Sequence, residues 1–383
     1  MFTYFDNSAT TKTLEKVNNE MLKMLSEDFG NPSSLHSMGL KAEKKIEYSR
    51  DIIAKALGCS KSEIYFTSGG TESNNLCVTG YLLRNKHSGK KIITTTIEHP
   101  SVLNQFEALK EKGYDVKFIP FSKDKGFDYD ALEKEVDSNT SLVSVMHVNN
   151  ETGYIFDIKR IKDIINKKNK NTLLHCDCVQ SFLKIPFTVK DLGADLISIS
   201  SHKVNGPKGV GAVYVKKGIH LLPLSLGGGQ ENGVRNGTEN TVGIYGFGVA
   251  VDEHLKTFRG DIARIKEIKD YLYNKFLTMD KVSINTPMDN SSCHILNVSF
   301  LNIRSEILLH TFEIKDIYVS SGSACSSNYS GKKKVLEIMG YDKSVYDSAI
   351  RFSFDSLNTL EQVEYAFGVI KEEVELLRKR LKL

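Results

Sequence analysis

The stretch from His175 to Gly209 decides the fold: His175-Cys-Asp-Cys-Val-Gln180 closes one apolar run, and Ser200-Ser-His-Lys-Val-Asn-Gly-Pro-Lys-Gly209 closes the next. The runs themselves, Thr172 to His175 and Leu196 to Ser200, are short and apolar and are bounded by turn residues. They read as two neighbouring strands. Asp177 and Lys203 then stand at the carboxyl ends of the strands, where open α/β sheets bind their ligands. An acid and a lysine so placed meet the needs of pyridoxal phosphate, which is tethered by a lysine amine as a Schiff base and keeps its ring nitrogen protonated beside a carboxylate. Taken singly, Asp177 is an ordinary cap or turn acid and Lys203 a solvated lysine in a Gly/Pro-rich loop. Their pairing carries the reading.

Outward from this stretch, the spacing predicts a helix from Lys41 to Leu57, where Ala42, Ile46, Ile53, Ala56 and Leu57 recur at helical intervals and Gly58 follows as a stop signal. Short β-rich runs come next, at Ile64 to Thr67, Ile92 to Thr96, Val116 to Ile119, Leu142 to Val148, and Ala212 to Val215. Alternation of this kind implies βαβ units and a mostly parallel sheet. After about Val251 the pattern changes. A long amphipathic helix is expected over Asp261 to Thr278, followed by a strand near His294 to Phe300, a helix near Arg304 to Phe312 and a last helix from Leu360. The fold class is therefore α/β, with residues 16–255 as a large domain around the sheet and residues 1–15 and 256–383 as a smaller α+β domain.

A chain of 383 residues exceeds the roughly 250 to 300 at which a single core stops growing, which agrees with two domains. Its 51 basic and 47 acidic side chains are nearly balanced, so composition gives no reason to expect direct nucleic-acid binding. The lysine-rich segment Lys159 to Lys170 reads as a solvated face. No apolar run approaches the ~18 residues of a membrane span, and the N-terminus lacks a secretory pattern. A soluble, cytoplasmic protein without a membrane partner is expected. The six scattered cysteines read as reduced thiols, and Cys176-x-Cys178 as core packing at a strand end rather than as half of a metal site.

Several segments carry further chemistry. Thr67-Ser-Gly-Gly-Thr-Glu-Ser-Asn74 joins a strand to a helix expected to open at Thr71, so Gly70 and Thr71 can present backbone N–H groups to a phosphate. His99 follows a strand and can stack on a flat cofactor and move protons near neutral pH. Asn150 is read as ending the strand that runs into Met146 to Gly153, with its amide free for cofactor or substrate. Thr238, within the glycine-rich Gly227 to Asn240, can donate to a phosphate. Cys325 lies among small residues in Ser320 to Ser327, a composition suited to an exposed loop, and is the candidate nucleophile. Arg351 interrupts the strand-like Ala349 to Ser353 and requires an anion, either a substrate carboxylate or a structural acid.

Taken in order, these motifs resemble the cysteine desulfurases of the NifS/IscS type, in the aminotransferase class V group of fold-type I pyridoxal phosphate enzymes. The resemblance spans nearly the whole chain. It runs through Tyr4 to Thr11, Phe29 to His36, Thr67 to Asn74, the His99 segment, His147 to Glu151, Asp177-x-x-Gln180, Ser200 to Gly209, Arg235 to Asn240, Ser320 to Ser327 and Arg351 to Ser353. It implies that Lys203 tethers the cofactor, Asp177 pairs with the ring nitrogen, Gln180 bonds the phenolic oxygen and His99 stacks on the ring. Gly70, Thr71, Ser200 and His202 would hold the phosphate, with Thr238 reaching in from a second subunit of a homodimer. Asn150 and Arg351 would engage the phenolate edge of the cofactor and the substrate carboxylate, and Cys325 would take sulfur from L-cysteine as a persulfide, releasing L-alanine. The sulfur would pass to an acceptor protein, an iron–sulfur scaffold or a tRNA-thiolating enzyme. A selenocysteine lyase or another class V enzyme is the alternative. The chain departs from the family's usual pattern at Ser201, Cys176, Cys178 and Asn232, and in Asn328 to Lys334.

Overall fold

The computed structural model describes residues 1–85, 89–322 and 333–382. Seven strands form the central sheet: β1 (Ile64–Thr67), β2 (Lys91–Thr95), β3 (Asp115–Ile119), β4 (Thr140–Met146), β5 (Leu173–Asp177), β6 (Leu196–Ser200) and β7 (Gly211–Val215). Their order across the sheet is β1-β7-β6-β5-β4-β2-β3. Only β7 runs against its neighbours, β1 and β6; the other pairings are parallel. The strands β2, β4, β6 and β7 are buried along their whole length, which explains why they read as unbroken apolar runs without alternation.

Two strand boundaries differ from expectation, and both bear on the site. β5 runs on through Asp177, because His175, Cys176 and Asp177 pair with Leu196, Ile197 and Ser198 of β6. The acid is thus a strand residue held in register. β4 ends at Met146 rather than Val148, so Asn150 lies in a turn beyond it. There Asn149 Oδ1 accepts from the backbone N–H groups of Glu151 (3.0 Å) and Thr152 (2.9 Å), and this side-chain turn outcompetes the ladder.

A second, antiparallel sheet has the order β8 (Val282–Ile284), β9 (Ile295–Phe300), β11 (Ala349–Ser353), β10 (Ser320–Ser321). The helix α1 (Ser37–Leu57) begins at Ser37, four residues before the expected start. His36 caps it and Gly58 ends it at φ 69°. The short helix α2 (Gly70–Asn75) opens at Gly70, one residue before Thr71. The helix α3 (Pro100–Glu111) starts directly after His99. Lys162, on α4 (Ile158–Lys168), departs from the solvated reading of its segment: it is buried and paired with Asp195 at 2.5 Å.

The expected helix at Asp261 proves to be the second half of α5, which runs unbroken from Thr241 to Phe276. Its first half, Gly243 to Val251, is buried on every side and so shows no amphipathic period. This helix joins two cores. Ile244, Phe247 and Val251 pack into the core of the seven-stranded sheet, whereas Ile265, Ile268, Leu272 and Phe276 pack with Phe5, Phe300, Phe312 and Phe352 of the second. The last helix, α6 (Leu360–Leu381), covers that second core with Val363, Ala366, Ile370 and Val374. Among the described residues, no helix is long and apolar enough to cross a membrane.

Candidate active site

The carboxyl edge of the central sheet opens into a cavity of about 390 Å³. Its wall holds Gly70, Thr71, His99, Asn150, Asp177, Gln180, Ser200, His202, Lys203 and Arg351, ten residues singled out in the sequence. Thr238 is not among them; it is exposed elsewhere on the chain. Cys325 lies outside the described residues.

Lys203 follows β6 by three residues, in the tight turn Ser201–Lys203. Its Nζ donates to the carbonyl oxygens of Ser8 (2.5 Å) and Ala9 (2.6 Å), which fixes the amine at the cavity wall. Asp177 is 6% exposed. Asn74 Nδ2 donates to its Oδ2 at 2.7 Å and the backbone N–H of Val179 to its Oδ1 at 2.9 Å. Behind it, His175 bridges Ser144 (2.8 Å) and Ser198 (2.9 Å), and burial pushes this imidazole down to about 3, so it adds no charge under the acid. Cys176 and Cys178 point to the opposite face of the strand and are fully buried, with their sulfurs 3.6 Å apart.

A hydrogen-bonded chain links the acid to His99. Asn74 Nδ2 also donates to Ser101 Oγ (2.8 Å), and that hydroxyl meets His99 Nδ1 (2.8 Å). His99 Nδ1 further accepts from the backbone N–H of Ser101, capping α3. The ring remains solvent-accessible because it lines an open cavity. Desolvation lowers its pKa, opposed by Asp177 and assisted by Lys203, so the neutral imidazole is favoured. His202 is likewise pushed down to about 4 by burial and by Lys203 and Lys208, while its Nδ1 meets Thr10 Oγ1 at 3.1 Å.

Arg351, in the middle of β11, has a structural acid, the second of the two partners considered for it. Its Nη2 pairs with Asp6 at 2.8 Å and its Nη1 donates to the Asn150 carbonyl at 2.9 Å, yet the side chain still lines the cavity. Gln180 Nε2 donates to the Ser8 carbonyl at 3.0 Å, which sets the amide in place. Ser8, Asp6, Asn74 and Ser101 are wall residues that motif reading did not assign. Asn74 had a visible signal: it stands four residues after Gly70, one helical turn along on the same face.

The residues suit an anionic, lysine-tethered ring cofactor. Among the described residues, Ser200 Oγ and Ser8 Oγ are buried without a hydrogen-bond partner, and both residues line the cavity, as groups that bond a ligand do. Beside them the amine of Lys203 and the carboxylate of Asp177 come from adjacent strand ends.

This fold and cavity define a class: a fold-type I pyridoxal phosphate enzyme, with lysine and acid at the carboxyl edge of a seven-stranded, mostly parallel sheet. Comparison with known proteins narrows it. The aminotransferase class-V family matches residues 3–366. A cysteine desulfurase IscS of Dictyoglomus turgidum is 38% identical over 376 residues, covering 98% of this chain and 95% of that protein. One of Archaeoglobus fulgidus is 38% identical with 98% and 97% coverage. Among solved structures, a NifS-like protein superposes with a TM-score of 0.92 at 39% identity, covering 98% of this chain and all of that one. SspA in complex with cysteine superposes with a TM-score of 0.82 at 32% identity, covering 93% and 100%. The chain belongs to the aminotransferase class-V family.

Proposed function

We propose that this protein is a pyridoxal phosphate-dependent cysteine desulfurase that converts L-cysteine to L-alanine. The observation that carries the reading is the convergence of Lys203, Asp177 and Arg351 on one cavity, in a chain whose relatives are cysteine desulfurases over almost their whole length. The bound cofactor supplies an electron sink for the substrate. Lys203 Nζ tethers it, Asp177 holds the ring nitrogen protonated, and Gln180, already oriented by Ser8, donates to the phenolic oxygen. Gly70, Thr71, Ser200 and His202 hold the phosphate. Thr10 Oγ1 against His202 Nδ1 orients the imidazole. His99 would stack on the ring and move protons, with Ser101 holding its Nδ1. Asn150 engages the cofactor's phenolate edge and the substrate, and Arg351 binds the substrate α-carboxylate through its charge, with Asp6 fixing the guanidinium.

Cys325 is the nucleophile in this reading, and it takes the sulfur as a persulfide. An acceptor protein, an iron–sulfur scaffold or a tRNA-thiolating enzyme, receives it in the cytoplasm. Residues 16–255 form the cofactor-binding domain, and residues 1–15 with 256–383 the smaller one. The unit is a homodimer in which Thr238 completes the partner's phosphate site. Its exposure outside the chain's own cavity supports this, as do the exposed apolar residues Phe29, Leu35 and Leu226 around a second cleft of about 520 Å³ lined by Pro32, Ser33 and Gly228 to Asn232.

The test is to load the protein with pyridoxal phosphate, add cysteine, and follow alanine together with the mass of the Cys325 peptide. Alanine formation and one added sulfur on that peptide are expected. Cys325→Ala is expected to keep the visible cofactor band and lose turnover on cysteine. Full turnover by this variant overturns the nucleophile, and a wild-type protein that makes no alanine overturns the desulfurase.

A further inference from the structure

Glu151 has no part in the assignments above, yet its side chain lines the cavity with Arg351 and Lys203. The backbone around it is clamped: its N–H donates to Asn149 Oδ1 at 3.0 Å, and its carbonyl accepts from Asn297 Nδ2 at 3.1 Å. The carboxyl packs against the backbone of Gly322, where an added Cβ would lie 2.6 Å from Oε2. Among the described residues nothing hydrogen-bonds to either carboxyl oxygen. The charged groups facing it are Arg351 from β11 and Lys334. Burial nevertheless dominates and pushes the carboxyl up to about 7, against the pull of both cations.

The other titratable groups on the wall are committed. Asp6 is paired with Arg351, Asp177 accepts from Asn74 and Val179, and Lys203 is the tether. His99 and His202 are both shifted toward the neutral imidazole. Glu151 is the one carboxyl on this wall that keeps a proton near neutral pH and has no partner for it among the described residues. A desulfurase needs such a proton, because the carbon that loses sulfur must gain hydrogen to become a methyl group.

Building on the desulfurase reading, we propose that Glu151 is a further catalytic residue, the acid that protonates the substrate Cβ as sulfur leaves. An enzyme thiolate forms the S–S bond to the substrate sulfur. The Cβ–S bond breaks with its electron pair on carbon, and Cβ takes the proton from the Glu151 carboxyl. The two sulfurs together give up the electron pair that carbon gains, so no outside oxidant or reductant enters. The proton released when the enzyme thiol ionises restores the carboxyl.

Glu151→Gln keeps the shape against Gly322 and removes the acid. Its cofactor band and its cysteine-induced spectral change are expected to match those of the wild type. Its kcat for alanine formation should fall roughly 100-fold, the usual scale for a lost proton-transfer group. Wild-type kcat should decline as pH rises through the neutral range, where Glu151 loses its proton, and this limb should be missing in the variant. Glu151→Asp, which retains an acid, should recover part of the rate, and thermal unfolding checks that each variant folds. A Glu151→Gln kcat within about threefold of wild type overturns the proposal. So does an alkaline limb that persists in the variant, a loss confined to cysteine affinity, or, should the variants not fold, a flat wild-type profile across neutral pH. Wild-type protein without alanine formation would instead overturn the desulfurase reading itself.

Discussion

Glu98 stands directly before His99, fully enclosed behind the cavity wall. Its Oε1 accepts from Thr95 Oγ1 (2.8 Å) and from the Met146 backbone N–H (3.0 Å), tying the end of β2 to the end of β4. The loops leaving those ends carry His99 and Asn150. Among the described residues Oε2 has no partner, which a buried carboxyl tolerates only when neutral. Burial pushes the group from its ordinary 4.5 up to about 8; Met146 and Thr95 pull down and Asp177 adds to the rise. The folded-state pKa is thus above the unfolded one. Below pH 4.5 both states are protonated. Between about 4.5 and 8 the unfolded chain ionises while the folded chain keeps its proton, so stability falls across that window by up to about 1.4 kcal/mol per pH unit. Glu98→Gln removes the titration. Denaturant unfolding is expected to show the variant gaining on the wild type from pH 5 to pH 8. Glu98→Ala also removes the titration but leaves the Met146 N–H unpaired, so it should lie about 1–3 kcal/mol below Glu98→Gln at every pH. A difference between the glutamine variant and wild type that stays constant from pH 5 to pH 8 would mean that Glu98 is ionised in the fold.

At the scale of elements, the segment Gly227 to Asn240 is the case where glycine content misleads most. It reads as a flexible loop, yet Arg50 on α1 holds Glu231 bidentately, at 2.8 Å on each oxygen, and Glu231 Oε2 also accepts from the Phe66 N–H of β1. Glu231 and Asn232 sit at φ 49° and 54°, a strained choice for non-glycine residues that the pair sustains. Breaking one side of a buried pair costs about 3 kcal/mol or more. Glu231→Gln should therefore lower the unfolding midpoint in calorimetry, and Arg50→Gln by a similar amount; a change of less than about 1 kcal/mol in both would remove the pair from this role. The first half of α5 was hidden for a related reason. Gly243, Gly246 and Gly248 suggest a loop, but they serve close helix packing: a Cβ on Gly248 would lie 2.3 Å from Ser49 Oγ of α1. Buried strands were the legible part, and β6 agrees with its expected Leu196 to Ser200 residue for residue, because strands enclosed on both faces are continuous apolar runs bounded by turns. In the site, the acid, the lysine and the arginine were legible because each is expensive to place at a strand end or inside a strand. Ser8, Asp6, Asn74 and Glu98 were not, since they are common polar residues that acquire a role only by convergence. Ser8 meets Lys203 across 195 positions of sequence, and no local pattern encodes such a contact.

At the scale of the molecule, the described wall of the cavity comes from one chain, and Thr238 is the group proposed to reach it from a second copy. The sheet supplies Asp177 and Lys203, the second sheet supplies Arg351, and the N-terminal segment crosses between them with Ser8, Ala9 and Asp6. That crossing is fastened at both ends: Asn7 Nδ2 donates to the Ser353 carbonyl at 2.9 Å, and Thr11 Oγ1 donates to the His202 carbonyl at 3.0 Å. Leu226 is 93% exposed and Phe29 69%, in the segments that border the cleft next to Thr238, a cost that a monomer gains nothing by bearing. A second copy placed there would bury these side chains and bring a threonine hydroxyl to the phosphate. Sedimentation of wild-type protein at micromolar concentration is therefore expected to give twice the chain mass. The double variant Leu35→Asp with Leu226→Asp should sediment as a monomer and lose pyridoxal phosphate on dialysis faster than wild type, since in the proposed dimer Thr238 reaches the phosphate only from the second copy. Thr238→Ala should weaken cofactor retention while leaving the dimer intact. A wild-type monomer that holds its cofactor through dialysis would show that one chain completes the site alone.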